Sequence, residues 1–261
     1  MAQLIKLENY VSRYEMDIYQ YPGQFLRIKK QRWEKLQSRR ERESASGEPI
    51  IQPQDEQHLN VLKREFAEDV FFYQLRWASS TLREKSFLDP KYRFDSWLKF
   101  FLLRIPDNYL LMYYPVFRVR QAPVELDIIM ISPMAVWCVT LLHGDKGNVF
   151  QGDSSRFWRK IEDGRVDKVL NPMLSNLRSY RLISQLVKKY EAEPLTMRRV
   201  ILSPNCFIEY PDAPNGVEVV DCRMAQSWLS KMRNQPSPLK FKQLKTASIL
   251  LRHCQTVSFE R

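Results

Sequence analysis

Two short apolar runs near the middle of the chain, residues 126–131 and 135–142, show the clearest strand pattern in the sequence. Both are rich in β-branched and aromatic side chains, and only Ser132-Pro133-Met134 separates them. Such a pattern predicts two consecutive buried strands joined by a tight turn. The same criteria predict further strands over residues 109–120, 148–151, 199–202 and 217–220.

Residues 1 to about 90 show helical spacing and few strand signals. The spacing of Leu4, Leu7 and Val11 predicts a short amphipathic helix at the start of this region. Tyr21-Pro22-Gly23 predicts a break, after which a basic helix is expected over residues 24–43.

A second long helix is predicted over residues 56–85, because apolar side chains recur there every three or four positions. These side chains are Leu59, Leu62, Phe66, Val70, Tyr73 and Trp77. The polar stretch over 44–55 contains Ser, Gly and Pro and predicts an exposed loop. Together these segments predict an N-terminal helical hairpin or arm, which packs on itself or on the second half of the chain.

A change in composition follows this helical region. Asp89-Pro90 disfavours helix immediately before the proline, which predicts a helical region over 1–88 and an α/β domain over 89–261. A length of 261 residues also suits one large domain. Further helices are predicted over residues 94–103, 171–190, 224–232 and 239–253. Strands and helices in this order indicate a mixed α/β fold.

Composition excludes several classes of protein. With 44% hydrophobic residues and seven glycines, the chain is neither disordered nor fibrous. It has no run of about 18 uncharged apolar residues and no apolar leader at its start, which predicts a cytoplasmic protein without a transmembrane segment. The scattered histidines and cysteines predict reduced thiols and no zinc ribbon or redox motif, and their spacing indicates no Ser-His-Asp triad, which leaves open a triad assembled only in the folded chain. The cysteines are Cys138, Cys206, Cys222 and Cys254.

The net charge of +11 is concentrated in two segments. Residues 27–42 hold eight basic and two acidic side chains, and residues 223–261 hold eight basic and one acidic. Such a charge distribution suits a protein that binds nucleic acid or an anionic lipid surface. Solvent-exposed helix faces that keep the protein in solution explain the charge of either segment equally well. The candidate nucleic-acid-binding residues are Arg27, Lys29, Lys30, Arg32, Arg39, Arg40, Lys242, Lys245 and Arg252.

Two carboxylates, Glu125 and Asp127, are predicted to open the first of the two central strands. Because side chains alternate along a strand, positions i and i+2 point to the same face, and a Mg²⁺ site is commonly begun in this way. Glu125 and Asp127 are therefore the candidate metal ligands. The alternative is that they are polar residues at the mouth of a strand, with roles in hydrogen bonding or solubility.

The order of signals from residue 95 to about 229 resembles the nuclease-related domain family, known as NERD, a branch of the PD-(D/E)xK nuclease superfamily. The resemblance begins with Glu125-Leu126-Asp127 at the start of a hydrophobic strand and Ser132-Pro133 in the turn. It continues through residues 135–139, Gly144, Gly152, Trp158, Asn171-Pro172 and residues 199–202. It implies a restriction-endonuclease-like mixed sheet flanked by helices, with the N-terminal helical region outside the match.

In active members of that superfamily, an acid on the first strand and a Glu-x-Lys on the second hold a divalent metal and the attacking water. The resemblance places Asp127, with Glu125 beside it, at the first-strand position, and Asp95 at a further acidic position in the preceding helix. The Glu-x-Lys falls on Thr140-Leu141-Leu142, which carries neither charge. Losing one charge-stabilising group typically costs on the order of 10² to 10³ in rate. We therefore predict a vestigial site, no nuclease activity by the family mechanism, and no required cofactor.

Three functions stay open at this point. The first is a non-catalytic nuclease-like module that binds nucleic acid or a protein partner. The second is a residual nuclease dependent on Mg²⁺ or Mn²⁺, in which His143, Lys146 or Lys168 supplies a displaced group. The third makes the helical arm an assembly or scaffold element that self-associates.

Overall fold

The computed structural model describes residues 1–45, 56–190, 195–234 and 237–261, apart from the side chains of 40–45 and 56–58. Its strands are β1 (Gln3–Leu7), β2 (Glu84–Lys85), β3 (Leu110–Tyr113), β4 (Val116–Val119), β5 (Ala122–Glu125), β6 (Ile128–Ile131), β7 (Ala135–Leu141), β8 (Val149–Gln151), β9 (Phe157–Glu162), β10 (Arg165–Leu170), β11 (Thr196–Leu202), β12 (Phe207–Glu209), β13 (Val217–Val220) and β14 (Phe259–Glu260). Its α-helices are α1 (Arg13–Met16), α2 (Tyr21–Ala45), α3 (Glu56–Trp77), α4 (Ser96–Arg104), α5 (Pro172–Lys189), α6 (Ala225–Arg233) and α7 (Phe241–Arg252). None of the helices in these ranges is both long and apolar enough to cross a membrane.

Six strands form the central sheet in the order β1-β3-β6-β7-β11-β13. Strand β6 runs antiparallel to its two neighbours, whereas the other five strands all run in one direction. The carboxyl ends of those five strands lie along one side of the sheet, which is called the carboxyl edge below. Buried clusters that include helical residues cover both faces of the sheet, so the mixed α/β class is confirmed.

The central hairpin of β6 and β7 agrees with the predicted strand pair. The Ser132 hydroxyl closes its turn by accepting a hydrogen bond from the backbone N–H of Ala135 at 2.9 Å. Along β7, Trp137 packs into one buried cluster and Cys138 into the cluster on the other face. Burial on both faces explains why this strand is continuously apolar in the sequence.

The first strand contradicts the prediction of a helical start. β1 pairs in parallel with β3, and all five of its side chains are buried. Leu4 and Leu7 pack on one face of the sheet and Ile5 packs on the other. Because both faces are covered, the segment lacks the alternation that marks a half-exposed strand, and the spacing of Leu4 and Leu7 suggested a helix instead. Strand β1 also lies in the same sheet as strands from the second half of the chain. The predicted domain boundary between residues 88 and 89 stays a prediction.

Other boundaries also differ from the predictions. The single strand expected over 109–120 is two strands, β3 and β4, because the chain turns at Tyr114, whose φ is 46°. Helix α2 begins at Tyr21, with Pro22 in its first turn, where a proline is well tolerated. A second sheet in the order β10-β9-β8-β12 contains a hairpin of β9 and β10 that was not predicted. The predicted loop over 44–55 lies outside the described residues, apart from positions 44 and 45, which end α2.

The two long helices, α2 and α3, pack antiparallel. Phe25 stacks on Tyr73 with ring centroids 6.5 Å apart, and further along α2 the ring of Trp33 meets Phe66 at 5.0 Å. Trp77, at the end of α3, is 2% exposed and lies in the same buried cluster as residues of β1, β3 and β6. This helical pair is therefore joined to the sheet through its buried end.

A buried polar cluster joins β1 to the far end of the chain. The Lys6 side chain is fully buried and forms an ion pair with Glu15. Its ammonium also donates to the Tyr10 carbonyl at 2.8 Å and to the Thr256 hydroxyl at 2.7 Å. Glu15 in turn completes the capping box of α1 with Ser12. The cluster satisfies the donors of a cation that would otherwise be costly to bury.

Candidate functional site at the carboxyl edge

Asp127 and Thr140 are adjacent at the carboxyl edge of the sheet. Asp127 immediately precedes β6 and Thr140 lies near the end of β7, and the pairing of Ile128 with Val139 brings them side by side. The Thr140 hydroxyl donates to the Asp127 carboxylate at 2.6 Å. The two positions that the resemblance assigns to the first-strand acid and the second-strand glutamate are therefore in direct contact, but only one of them carries a carboxylate.

Asn176 of α5 continues this polar network into the sheet. Its amide nitrogen lies 3.1 Å from the Thr140 hydroxyl, 3.0 Å from the Cys138 carbonyl and 3.1 Å from the Val200 carbonyl. Its amide oxygen accepts a hydrogen bond from Arg199 at 2.9 Å. The side chain that supports Thr140 is thus a neutral amide, which is satisfied by protein groups on both of its polar atoms.

The surroundings of Asp127 raise the pKa of its carboxyl group. Burial is the largest cause, and hydrogen bonds from the hydroxyls of Thr140, Ser175 and Ser179 together with the charge of Arg178 oppose it. The charged form of Asp127 is therefore stabilised by hydroxyl groups and one arginine, yet it is less favourable in the folded protein than in water.

This raised pKa predicts how stability depends on pH. Asp127 binds a proton more readily in the folded chain, so its contribution to stability is fully present below the ordinary carboxyl pKa of 3.8 and is lost as pH rises through the raised value. Asparagine does not titrate and still accepts the Thr140 hydrogen bond. We therefore expect the thermal midpoint of Asp127→Asn to rise relative to the natural chain as pH increases through this window.

Thermal unfolding across a pH series measures this difference. Asp167→Asn is the control, since it removes an exposed carboxylate from β10 without changing buried surroundings. A difference between Asp127→Asn and the natural chain that stays constant with pH would contradict the prediction.

The structure corrects the predicted geometry of Glu125 and places Asp95 at the start of α4. Glu125 ends β5, which pairs with β4, so it does not share a strand face with Asp127. It is exposed and points from a different element of the chain. Asp95 is the N-cap of α4: it accepts hydrogen bonds from the backbone N–H groups of Trp97 and Leu98 at 2.9 Å each, and from the Tyr113 hydroxyl at 3.0 Å. Asp95 therefore has a structural role at a helix end.

A shallow depression of about 300 Å³ lies at the same edge and includes Asp95, Glu125, Tyr114 and His143 in its lining. The Tyr114 hydroxyl lies 3.4 Å from a ring nitrogen of His143. Burial, followed by the charges of Asp127, Asp95 and Glu125, raises the pKa of Tyr114, while burial lowers the pKa of His143 against the opposing effect of Asp95. Within the described ranges, no group of three or more His, Cys, Asp or Glu side chains is arranged to hold a metal ion.

The groups that act on Asp127 do not include the lysines proposed from the sequence. Leu142 is 9% exposed and packs in an apolar cluster with Phe150 and Trp158. Lys146 and Lys168 are exposed, and neither is among the groups that hydrogen-bond to Asp127 or shift its pKa. The cation that does act on Asp127 is Arg178 of α5, which also donates to the Glu125 carbonyl at 3.3 Å.

Sequence reasoning missed the contribution of α5 to this site. Apolar spacing in the sequence predicts that Leu174 and Tyr190 lie on one side of this helix with Ile183 and Val187, but Leu174 and Tyr190 are 49% and 44% exposed. The buried stripe begins instead with Asn176 and Ser179, and it continues through Ile183 and Val187. The spacing of three and four residues was a usable signal, but its first two members are polar and were therefore not counted as core positions.

The basic candidates differ in exposure, and some of them form ion pairs. Lys29 is bound to Asp107 at 2.5 Å and Arg32 to Asp69 at 2.6 Å, so these two cations have structural partners. Exposed candidates are Arg27, Lys30, Arg39 and Arg252. Lys242 and Lys245 are half-buried on α7, and the side chain of Arg40 lies outside the described residues.

Comparison with known proteins gives one short match. A segment of 43 residues is 49% identical to an RNA 2',3'-cyclic phosphodiesterase of Geobacillus stearothermophilus. The match covers 16% of this chain and 14% of that protein, which is too little to show a shared family. No family model and no solved structure matches the chain. The resemblance to the nuclease-related domain family therefore stays a prediction.

Proposed function

We propose that this chain is a nuclease-like module without catalytic activity that binds nucleic acid. The observation that carries the proposal is the hydrogen bond from Thr140 to Asp127. In a nuclease of this superfamily these two positions would both hold a metal ion, whereas here the second is a neutral hydroxyl. Such a site keeps the arrangement of the strands and loses the charges on which the chemistry depends.

The groups around Asp127 support the absence of catalysis. Metal-assisted phosphoryl transfer needs several oxygen ligands on a hard cation and a positive group near the scissile phosphate. Thr140, Ser175 and Ser179 offer only hydroxyls, and Leu142 offers no charge. Loss of one stabilising group lowers the reaction rate by a factor on the order of 10² to 10³. When catalytic groups act as a unit, the rate losses from removing each of them are not additive.

The exposed face of α2 supports the binding half of the proposal. Arg27, Lys30 and Lys35 are exposed on this helix, whereas Phe25 is fully buried beside α3. Exposed cations along one helix suit contact with phosphates. The short similarity to a protein named as an RNA 2',3'-cyclic phosphodiesterase supports the use of RNA alongside DNA as a probe.

Replacing Arg27, Lys30 and Lys35 together by glutamine tests this contact. We expect weaker binding to short RNA and DNA oligonucleotides. The slope of log affinity against log salt should fall by about 0.7 to 0.9 for each phosphate that the variant no longer neutralises. Fluorescence anisotropy with labelled oligonucleotides in a salt series measures both quantities.

The matched control replaces Lys146, Arg165 and Lys168 by glutamine, which removes the same charge from exposed positions of the second half of the chain. An equal loss in this control would assign the effect to net charge and contradict a contact through α2. If the natural chain fails to bind either nucleic acid at low salt, nucleic-acid binding is wrong and a protein partner becomes the ligand to seek.

A residual nuclease is the second candidate, favoured by the position of Arg178. Its positive charge acts on Asp127, where a displaced catalytic cation would be required. This candidate predicts cleavage of RNA or DNA that depends on Mg²⁺ or Mn²⁺ and is abolished in Asp127→Asn. Cleavage without a metal, or cleavage that survives this substitution, excludes it.

A further inference from the structure

Two aromatic rings from distant parts of the chain stack on each other at the surface. Tyr19 precedes α2 and Phe241 is the first residue of α7, and their ring centroids are 5.7 Å apart with the planes inclined by 27°. Tyr19 is 46% exposed and Phe241 is 70% exposed. The pair therefore keeps much of its apolar surface in contact with solvent, although each ring already has an aromatic neighbour.

The Tyr19 side of this pair is fixed by local hydrogen bonds. The Asp17 carboxylate accepts from the backbone N–H of Tyr19 at 2.8 Å and from that of Gln20 at 3.1 Å. The Phe241 side is fixed by α7, whose buried residues include Gln243 and Ala247. The two rings are thus held in place before any ligand arrives, which lowers the entropic cost of stacking a third ring on them.

Four cations lie on or beside α7, and one carboxylate, Asp17, lies beside Tyr19. Residues 239–253 include Lys240, Lys242, Lys245 and Arg252 and no acidic side chain. Lys245 follows Phe241 by one helical turn and so lies on the same side of α7. Aromatic rings beside cations are a combination that binds single-stranded nucleic acid, because bases stack on the rings and the cations contact phosphates.

A cleft of about 380 Å³ adjoins the pair. Tyr19 lines it together with Met16, Ser248 and Arg252. Its acidic lining residues already have partners: Glu15 is paired with Lys6, and Asp17 caps the loop before α2. The volume falls in the range of small-molecule sites, and Arg252 supplies a positive group at its margin.

We propose that Tyr19 and Phe241 form a stacking platform for an unpaired base, and that the adjoining cleft and the cations of α7 hold the neighbouring nucleotide and its phosphate. This inference rests on the proposed binding of nucleic acid and narrows it to single strands. Bases inside a duplex already have both faces stacked, so the platform favours unpaired bases. The residues it adds, Tyr19 and Phe241, carry no charge and were not among the candidates from the sequence.

Phe241→Ala tests the platform. Removing one stacking side chain is expected to weaken binding of a short oligouridylate by about tenfold, since base stacking on an aromatic side chain is worth about 1–3 kcal/mol. Binding of an RNA duplex should change little. A 2-aminopurine base in the single strand should lose fluorescence on binding to the natural chain and lose less with the variant.

Phe87→Ala is the matched control. Phe87 is 82% exposed and stacks on Phe259 at 4.4 Å, so it offers a similar exposed pair outside the proposed site. Unchanged thermal midpoints for both variants establish that the fold is retained. Tyr19→Leu keeps apolar bulk and loses the aromatic ring, and it should weaken single-strand binding as Phe241→Ala does.

The outcomes separate this inference from the proposed function. If the natural chain binds oligouridylate and both Tyr19→Leu and Phe241→Ala bind it equally well, the platform is wrong and nucleic-acid binding stands. If Phe87→Ala loses as much affinity for oligouridylate as Phe241→Ala, the assignment of the stacking platform to Tyr19 and Phe241 is wrong. If the natural chain binds no nucleic acid at low salt, both proposals are wrong.

Discussion

Lys6→Met is expected to lower the free energy of unfolding by about 3–5 kcal/mol. Methionine fills much of the same space, so the loss arises from charge and hydrogen bonding. The variant leaves the carboxylate of Glu15, which is 19% exposed, without its cation, and it removes the donor to the Tyr10 carbonyl. Breaking a buried ion pair from one side is costly because the remaining charge stays desolvated. Urea unfolding followed by circular dichroism measures the change.

Two further variants isolate the cause. Lys6→Met combined with Glu15→Gln removes both charges and should recover a large part of the loss, since no unpaired charge is left. Lys30→Met breaks an exposed ion pair with Glu34 and should cost no more than about 1 kcal/mol. A double variant as unstable as Lys6→Met alone would show that packing, and not the unpaired charge, dominates.

Thr140→Glu is expected to lower the free energy of unfolding by about 3 kcal/mol or more in the absence of metal. Thr140 is 6% exposed and lies 2.6 Å from the Asp127 carboxylate, so the variant places two carboxylates together in a buried site. The same change restores the second acid of a nuclease site. If Asp127 and position 140 have nuclease-like geometry, Mn²⁺ should bind the variant and recover about 2.7 kcal/mol at a hundredfold excess over its Kd.

Thr140→Gln is the matched control, because it has the size of glutamate without the charge. It should be less destabilised than Thr140→Glu and should not respond to Mn²⁺. Thermal midpoints with and without Mn²⁺ for the two variants and the natural chain provide the measurement. A Thr140→Glu variant that gains nothing from Mn²⁺ would contradict the match of Asp127 and Thr140 to a nuclease metal site.

The sequence predicted the parts of the fold whose burial leaves a simple pattern. The central hairpin of β6 and β7 was predicted because its strands are apolar throughout and a Ser-Pro turn separates them. The pairing within this hairpin makes Asp127 and Thr140 adjacent, and their assignment to a nuclease site stays a prediction. Helix α5 was predicted from Asn171 and Pro172, and the Asn171 side chain does cap its first turn.

The errors have physical causes that a single sequence hides. β1 carries Lys6 next to its last residue, and partners outside the strand, Glu15 and Thr256 among them, make that lysine compatible with a buried strand. Strand β10 is exposed along most of its length and β9 is fully buried only at Trp158, and neither shows clear apolar alternation. Glu125 was assigned to the strand of Asp127, because nothing local indicates that one strand ends and another begins between them.

The polar cluster around Lys6 also bears on the order in which the molecule folds during synthesis. Lys6 and Thr256 are hydrogen-bonded although 250 positions separate them in the chain, and β1 needs β3, more than a hundred residues later, as its partner. Such distant contacts form slowly because a long loop must close first. During synthesis β1 therefore has no strand partner until β3 has left the ribosome, and Lys6 lacks its Thr256 contact until residue 256 follows.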